Sequence, residues 1–98
     1  MNEQEIYDEI VGFFESEEVT REAFGAGEAA RWWARRRGMS QEDFNYFMAG
    51  FAFYWERYDS DDWLNWTPKR DTDLIVMVYL RAWKDRYGDA PSWRSSAS

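Results

Sequence analysis

Apolar positions recur at helical intervals along most of the chain, and they predict four helices. The first covers residues 3–17, with Ile6, Ile10, Phe13 and Phe14 in one stripe and Tyr7 and Val11 on its shoulder. Glu5, Asp8, Glu9 and Glu15 take the opposite side around Gly12, and no Lys or Arg lies within that helix to neutralise them. A second helix is expected to start near Thr20 or Gly27 and to end at Arg37. Gly38 suits the C′ position there, and Arg35, Arg36 and Arg37 suit the negative end of the helix dipole. Gly25-Ala26-Gly27 reads as a break, which would leave residues 20–24 as a separate turn. Ala29, Ala30, Trp33 and Ala34 form the packing face, and Trp32 points elsewhere, one turn from Arg36.

The third helix carries the clearest start signal. Ser40 with Asp43 three positions on resembles a capping box, with the shorter Asp in place of Glu or Gln. Phe44, Phe47, Met48, Phe51, Trp55 and Tyr58 then recur at helical spacing, and Phe47, Phe51 and Trp55 are expected in the core. Tyr46 and Phe53 lie on the far side, flanking Gly50. A helix apolar on both faces is expected to be central and covered on two sides. Residues 59–68 read as a connection with a short helical turn begun by Ser60 or Asp61. The last helix should follow a Thr72 cap, span 73–87 and stop at Gly88. Its run 74–80 alone fits a buried strand equally well. The stripe of Ile75, Tyr79, Ala82 and Trp83 and the want of any partner strand favour helix. The expected fold is all-α: a compact single-domain bundle of about four helices with short extra turns over residues 1–89, followed by a flexible C-terminal tail, 90–98.

Size and composition agree with one self-sufficient core. A chain of 98 residues allows about 65% of its unfolded surface to be buried, and 45% of its residues are hydrophobic. There is no His and no Cys, which excludes disulfides, thiolate nucleophiles and imidazole bases, and leaves zinc, copper and haem almost without ligands. No apolar run is long enough to span a membrane, and nothing at the N-terminus has the pattern of a secretion signal, so the cytoplasm is the expected location.

Motif chemistry is sparse. Asp59-x-Asp61 resembles the first two ligand positions of a calcium loop, but Trp63 stands at the next ligand position and Leu64 where glycine is needed. The carboxylates show no pairing in an apolar pocket of the kind that runs general acid–base chemistry. Neither a phosphate-binding glycine loop nor a nucleophile elbow is present. The expectation is a protein without catalysis, cofactor or metal. The stretch 34–44, Ala-Arg-Arg-Arg-Gly-Met-Ser-Gln-Glu-Asp-Phe, resembles the opening of a lambda-repressor-type helix-turn-helix domain. The resemblance ends there, because an unbroken aromatic run follows where a turn and a polar recognition helix belong, and the family is rejected.

Charge supplies the functional lead. Asp and Glu total 19 against 12 Lys and Arg, a net charge of −7, the wrong sign for gripping phosphates. Glu5, Asp8, Glu9 and Glu15 would stand roughly 1.5–9 Å apart along a helix, and acids on a rigid rod can imitate phosphates spaced ~3.4 Å along a strand. Asp59, Asp61 and Asp62 make a second cluster beside Trp63 and Trp66, a combination suited to a protein interface in which aromatics anchor and charge steers. The expected function is therefore that of a small acidic interaction or inhibitor protein, of the anti-CRISPR or anti-restriction type that a phage or mobile element deploys. Its expected partner is a protein with a basic surface, a nucleic-acid-handling complex, bound by a monomer or homodimer without direct nucleic-acid contact. Two alternatives stand beside it. One is a nucleic-acid-associated regulator using Arg31, Trp32, Arg35, Arg36 and Arg37, which interleave charge with stacking surface. The other is a structural subunit that packs its aromatic faces into an oligomer.

Overall fold

The computed structural model describes residues 2–19, 25–60 and 62–88, apart from the side chains of Asp59 and Leu64. It contains α1 (Glu3–Ser16), α2 (Gly25–Arg37), α3 (Gln41–Trp55) and α4 (Asp71–Tyr87), with two 3₁₀ turns, Tyr58–Ser60 and Asp62–Asn65, between the last two. No strand occurs among the described residues, and the segment 74–80 is helix. The chain is thus a small all-α bundle. The expected turn at 20–24 and the tail 90–98 lie outside the described residues.

Local chemistry explains the helix ends. The Asn2 side chain accepts a hydrogen bond from the Gln4 amide, and the Ser40 side chain accepts one from the Asp43 amide, so α1 and α3 each gain a partner for an otherwise orphaned N–H. At the end of α1, the Val19 amide bonds to Phe14 O at 2.9 Å and the Glu18 amide to Glu15 O at 3.3 Å. The same pair of bonds closes α2, from Met39 to Ala34 O and from Gly38 to Arg35 O. Both stops place one residue in the left-handed region: Gly38 at φ 83° and Glu18 at φ 51°.

Several details differ from the sequence expectation. The pair Gly25 and Gly27 opens α2 rather than breaking it. The small residues let other elements close in: the Tyr79 hydroxyl donates to Ala26 O at 3.0 Å, and a Cβ on Gly27 would stand 3.7 Å from the Phe51 ring. Thr72 does not cap α4. The helix starts at Asp71, two residues earlier than expected, and the Asp73 carboxylate accepts hydrogen bonds from the Lys69 and Arg70 amides at 3.1 and 3.2 Å. Helix α3 ends at Trp55, three residues short of Tyr58, which belongs to the first 3₁₀ turn. Its buried line is Phe44, Phe47, Phe51 and Tyr54, and Trp55 is only partly buried. Steps of three, four and three residues hold that line on one face, whereas Trp55 falls at its edge beside Met48 and stacks on Phe51 at 5.4 Å.

Paired residues give the topology. Tyr46 lies near Arg70, Gly50 near Val76, Phe51 near Tyr79 and Tyr58 near Lys84, so α3 and α4 run parallel. The connection between them must return along α3, and its Trp63 and Trp66 pack on Tyr54 as it does so. The most buried helix is α4, which packs between α1 and α3 and buries eight consecutive or near-consecutive side chains from Ile75 to Trp83. At its middle, the Tyr79 ring meets Phe14 of α1, Trp33 of α2 and Phe47 and Phe51 of α3 at centroid separations of 5.6–6.2 Å.

Two predictions follow from this geometry. Burial, and next the charge of Tyr87, holds the Tyr79 phenol well above its ordinary pKa. The group is neutral in the fold, so its contribution is complete below the unfolded pKa of about 10 and is lost as pH climbs toward the folded value. Tyr79→Phe should cost about 0.5–1.5 kcal/mol at neutral pH, because its hydrogen bond to Ala26 O is lost, and should flatten the loss of stability above about pH 10. Urea denaturation across pH 7–11 measures both. At Glu18, replacing a side chain held at positive φ by glycine should stabilise the protein by about 0.5–1 kcal/mol, read as a rise in melting temperature.

Candidate functional site

The acidic face of α1 is not isolated. Glu5, Asp8, Glu9 and Glu15 are all exposed, as the helical spacing requires. Cations reach them from elsewhere in the fold: Arg37 of α2 pairs with Glu9, and Arg86 of α4 stands 3.7 Å from Glu15. At the flanks Arg81 stands 3.7 Å from Glu3, and Arg36 pairs with Glu17. Asp8 accepts a hydrogen bond from the Gln4 side chain at 2.9 Å. Glu5 and Asp8 have no ion pair among the described residues and form the unneutralised part of the row. Pairs this exposed contribute at most about 1 kcal/mol each, so they shape the surface potential more than the stability.

The Arg/Trp cluster is divided by the same contacts. Trp33 is buried and packs on Phe47 and Tyr79, and Arg37 lies over its ring at 5.6 Å. Arg35 stacks on Phe44 at 4.4 Å. Arg36 lies over the Phe13 ring, and Trp32 meets the same ring edge-on at 5.4 Å. Arg31 and Trp32 are exposed. Helix-end neutralisation and ring packing thus occupy Arg35, Arg36 and Arg37.

The second acidic cluster changes in one respect. Asp62 is exposed, whereas Asp61 and the Asp59 side chain lie outside the described parts of the chain. Trp63, expected as an exposed anchor, is fully buried. The 3₁₀ turn folds its indole under the connection, where it stacks on Tyr58 at 6.0 Å and its N–H donates to Tyr58 O at 3.3 Å. Trp66 is the exposed one, at 47%.

Trp66 stands on the lip of a groove of about 320 Å³ between the returning connection, α3 and the start of α4. Its ring lies 5.5 Å from Phe53 and 5.8 Å from Tyr54, and the two contacts are inclined at 62° and 82°. Gly50 lines the groove and lets α3 close on α4: a Cβ there would stand 3.3 Å from Val76. Asp73 and Tyr46 form the polar wall. The Asp73 carboxylate raises the Tyr46 phenol's pKa through a hydrogen bond first and burial second. Burial, followed by the same carboxylate's charge, also raises the pKa of Tyr54. Arginines already lie over two of the rings, Arg57 on Phe53 at 3.8 Å and Arg70 on Tyr46 at 4.7 Å. Helical spacing had put Tyr46 and Phe53 on one outward face; Asp73 joined them unannounced, because its sequence position reads only as a helix start.

The two tryptophans of the connection should therefore separate cleanly. Trp63→Ala should cost about 3–5 kcal/mol in chemical denaturation, as the loss of a fully buried indole does, while Trp66→Ala should cost less than about 1 kcal/mol. No protein-family model, curated protein or solved structure matches this chain.

Proposed function

We propose that the chain is a small acidic interaction or inhibitor protein that performs no catalysis and occupies a basic, nucleic-acid-binding surface of a target. On this reading it is an antagonist of the anti-CRISPR or anti-restriction type, from a phage or mobile element, working in the cytoplasm as a monomer or homodimer. The observation that carries the proposal is the excess of acid, −7 over 98 residues, together with its position. The arginines beside α1 are already matched to Glu3, Glu9, Glu15 and Glu17, so among the described residues Glu5 and Asp8 present charge without an ion pair. A basic partner gains from meeting such a row by attraction on approach. Asp62 and Trp66 extend the footprint around the connection. Among the described residues no helix is long and apolar enough to cross a membrane.

The test is competition. Purified protein is added to CRISPR effector complexes and restriction enzymes, and DNA cleavage is followed at increasing salt. Inhibition of at least one enzyme is expected, weakening by about tenfold or more between 50 and 200 mM salt, with no shift of free DNA in a gel. Glu5→Lys with Asp8→Lys should weaken inhibition by about tenfold while moving the melting temperature little, because surface charge changes stay within roughly 0.5 kcal/mol. Direct DNA binding that disappears on changing Arg31 and Arg35 would overturn the proposal in favour of a nucleic-acid regulator.

A further inference from the structure

The groove beside Trp66 is a binding site of definite chemistry. Its volume of about 320 Å³ lies at the lower end of the range for sites that take a small group. Phe53, Tyr54 and Trp66 set their planes steeply to one another, so a guest entering beside them meets ring faces and edges from more than one direction. Ring faces carry the negative part of the aromatic quadrupole and attract cations. Two walls already show that preference, since the chain's own Arg57 and Arg70 lie over Phe53 and Tyr46.

We propose that this groove seats an arginine side chain projected by the basic surface of the protein partner. The inference rests on the acidic-docking reading above and names the contact through which that partner is anchored. Asp73 supplies the complementary charge on the groove wall. Its charge makes both Tyr46 and Tyr54 harder to ionise, with Arg70 acting against it at Tyr46 and Lys69 standing at the rim. Guanidinium fits better than ammonium because it is planar, weakly hydrated and able to stack on one ring while turning its N–H edge to a carboxylate. Exposure favours access: Phe53 is 38% and Trp66 47% open to solvent, although both are large and apolar.

The experiment titrates the intact protein with a blocked pentapeptide, Gly-Gly-Arg-Gly-Gly, and with its citrulline counterpart, which keeps shape and loses charge. Binding is followed through the ¹H–¹⁵N resonances of the tryptophan indoles. The arginine peptide should move the Trp66 indole and bind at least about fivefold more tightly than the citrulline peptide. W66A and Phe53→Ala should each weaken it by about fivefold or more; both residues are half-exposed, and unchanged dispersion in the remaining spectrum verifies the fold. Equal binding of the two peptides overturns the proposal, as does a Trp66 resonance that answers to a nucleoside monophosphate and ignores arginine. The double variant Glu5→Lys, Asp8→Lys separates this site from the α1 surface. If that variant alone loses the peptide and W66A keeps it, the groove proposal falls and the acidic reading stands. If W66A alone loses it, the groove is the seat, whatever the outcome of the cleavage assays.

Discussion

The fold depends on one side chain placed where all four helices converge. Tyr79 sits in the middle of α4, and its ring meets aromatic partners from α1, α2 and α3 as well as Trp83 one turn along its own helix. A tyrosine rather than a phenylalanine is used because the ring's far end falls against the start of α2, where the Ala26 carbonyl accepts its proton. Burying a hydroxyl without a partner would cost about 1–3 kcal/mol, so the ring's position and the start of α2 are determined together. Two further phenols repeat the device: Tyr87 donates to Val19 O and Tyr58 to Gly88 O. Each ties a helix to backbone distant in sequence, which fits a chain with one-fifth of its residues aromatic and no disulfide to close its loops.

The second constraint is topological. Parallel neighbours cannot be joined by a tight turn, so the chain between α3 and α4 must travel back the length of α3. Two 3₁₀ turns shorten that path, and the buried Trp63 pins it against Tyr54 and Tyr58. Because the connection covers only part of the outer face of α3, Phe53 and Tyr46 remain beside its edge, and Trp66 leans over them from the connection itself. The groove is thus a consequence of the crossover, set between the returning connection and the pair α3 and α4.

Much of this was legible in the residue order, and the parts that were not share a cause. Helix number, the stops at Gly38 and Gly88, the Ser40 cap and the buried faces of α1 and α2 depend on neighbours within a turn or two, where periodicity and capping rules operate. Trp63 was misread because its burial depends on a fold-back of the connection, and an indole beside three aspartates looks solvated until that path is known. Trp55 was placed in the core by extending the helix to Tyr58, so a shift of three residues at one end exchanged it with Tyr54. The cap of α4 was misassigned because Asp73 acts backwards on Lys69 and Arg70. Of the candidate site, the acids of α1 were legible as a row, but their partners Arg37, Arg81 and Arg86 belong to other helices and no local pattern announces them.

Those partners alter what the acidity means. Acids near helix starts, such as Glu3, Glu42, Asp43, Asp71 and Asp73, suit the positive end of the helix dipole. Arginines near helix ends, Arg35, Arg36, Arg37 and Arg86, suit the negative end, and several reach back to carboxylates on α1. Much of the charge is therefore explained by the helices themselves, and a functional argument from net charge must rest on what remains after that subtraction. On α1, Asp8 remains without an ion pair among the described residues, and Glu5, although it too lies in the first turn, has none either. They stand on the outer side of α1, near its N-terminus, where a carboxylate is favoured by the helix dipole and a partner's cations would add to an attraction already present. Charge retained where the fold tolerates it at little cost, and left without an internal cation, is the form that an electrostatic docking surface takes when stability and recognition are satisfied by the same helix.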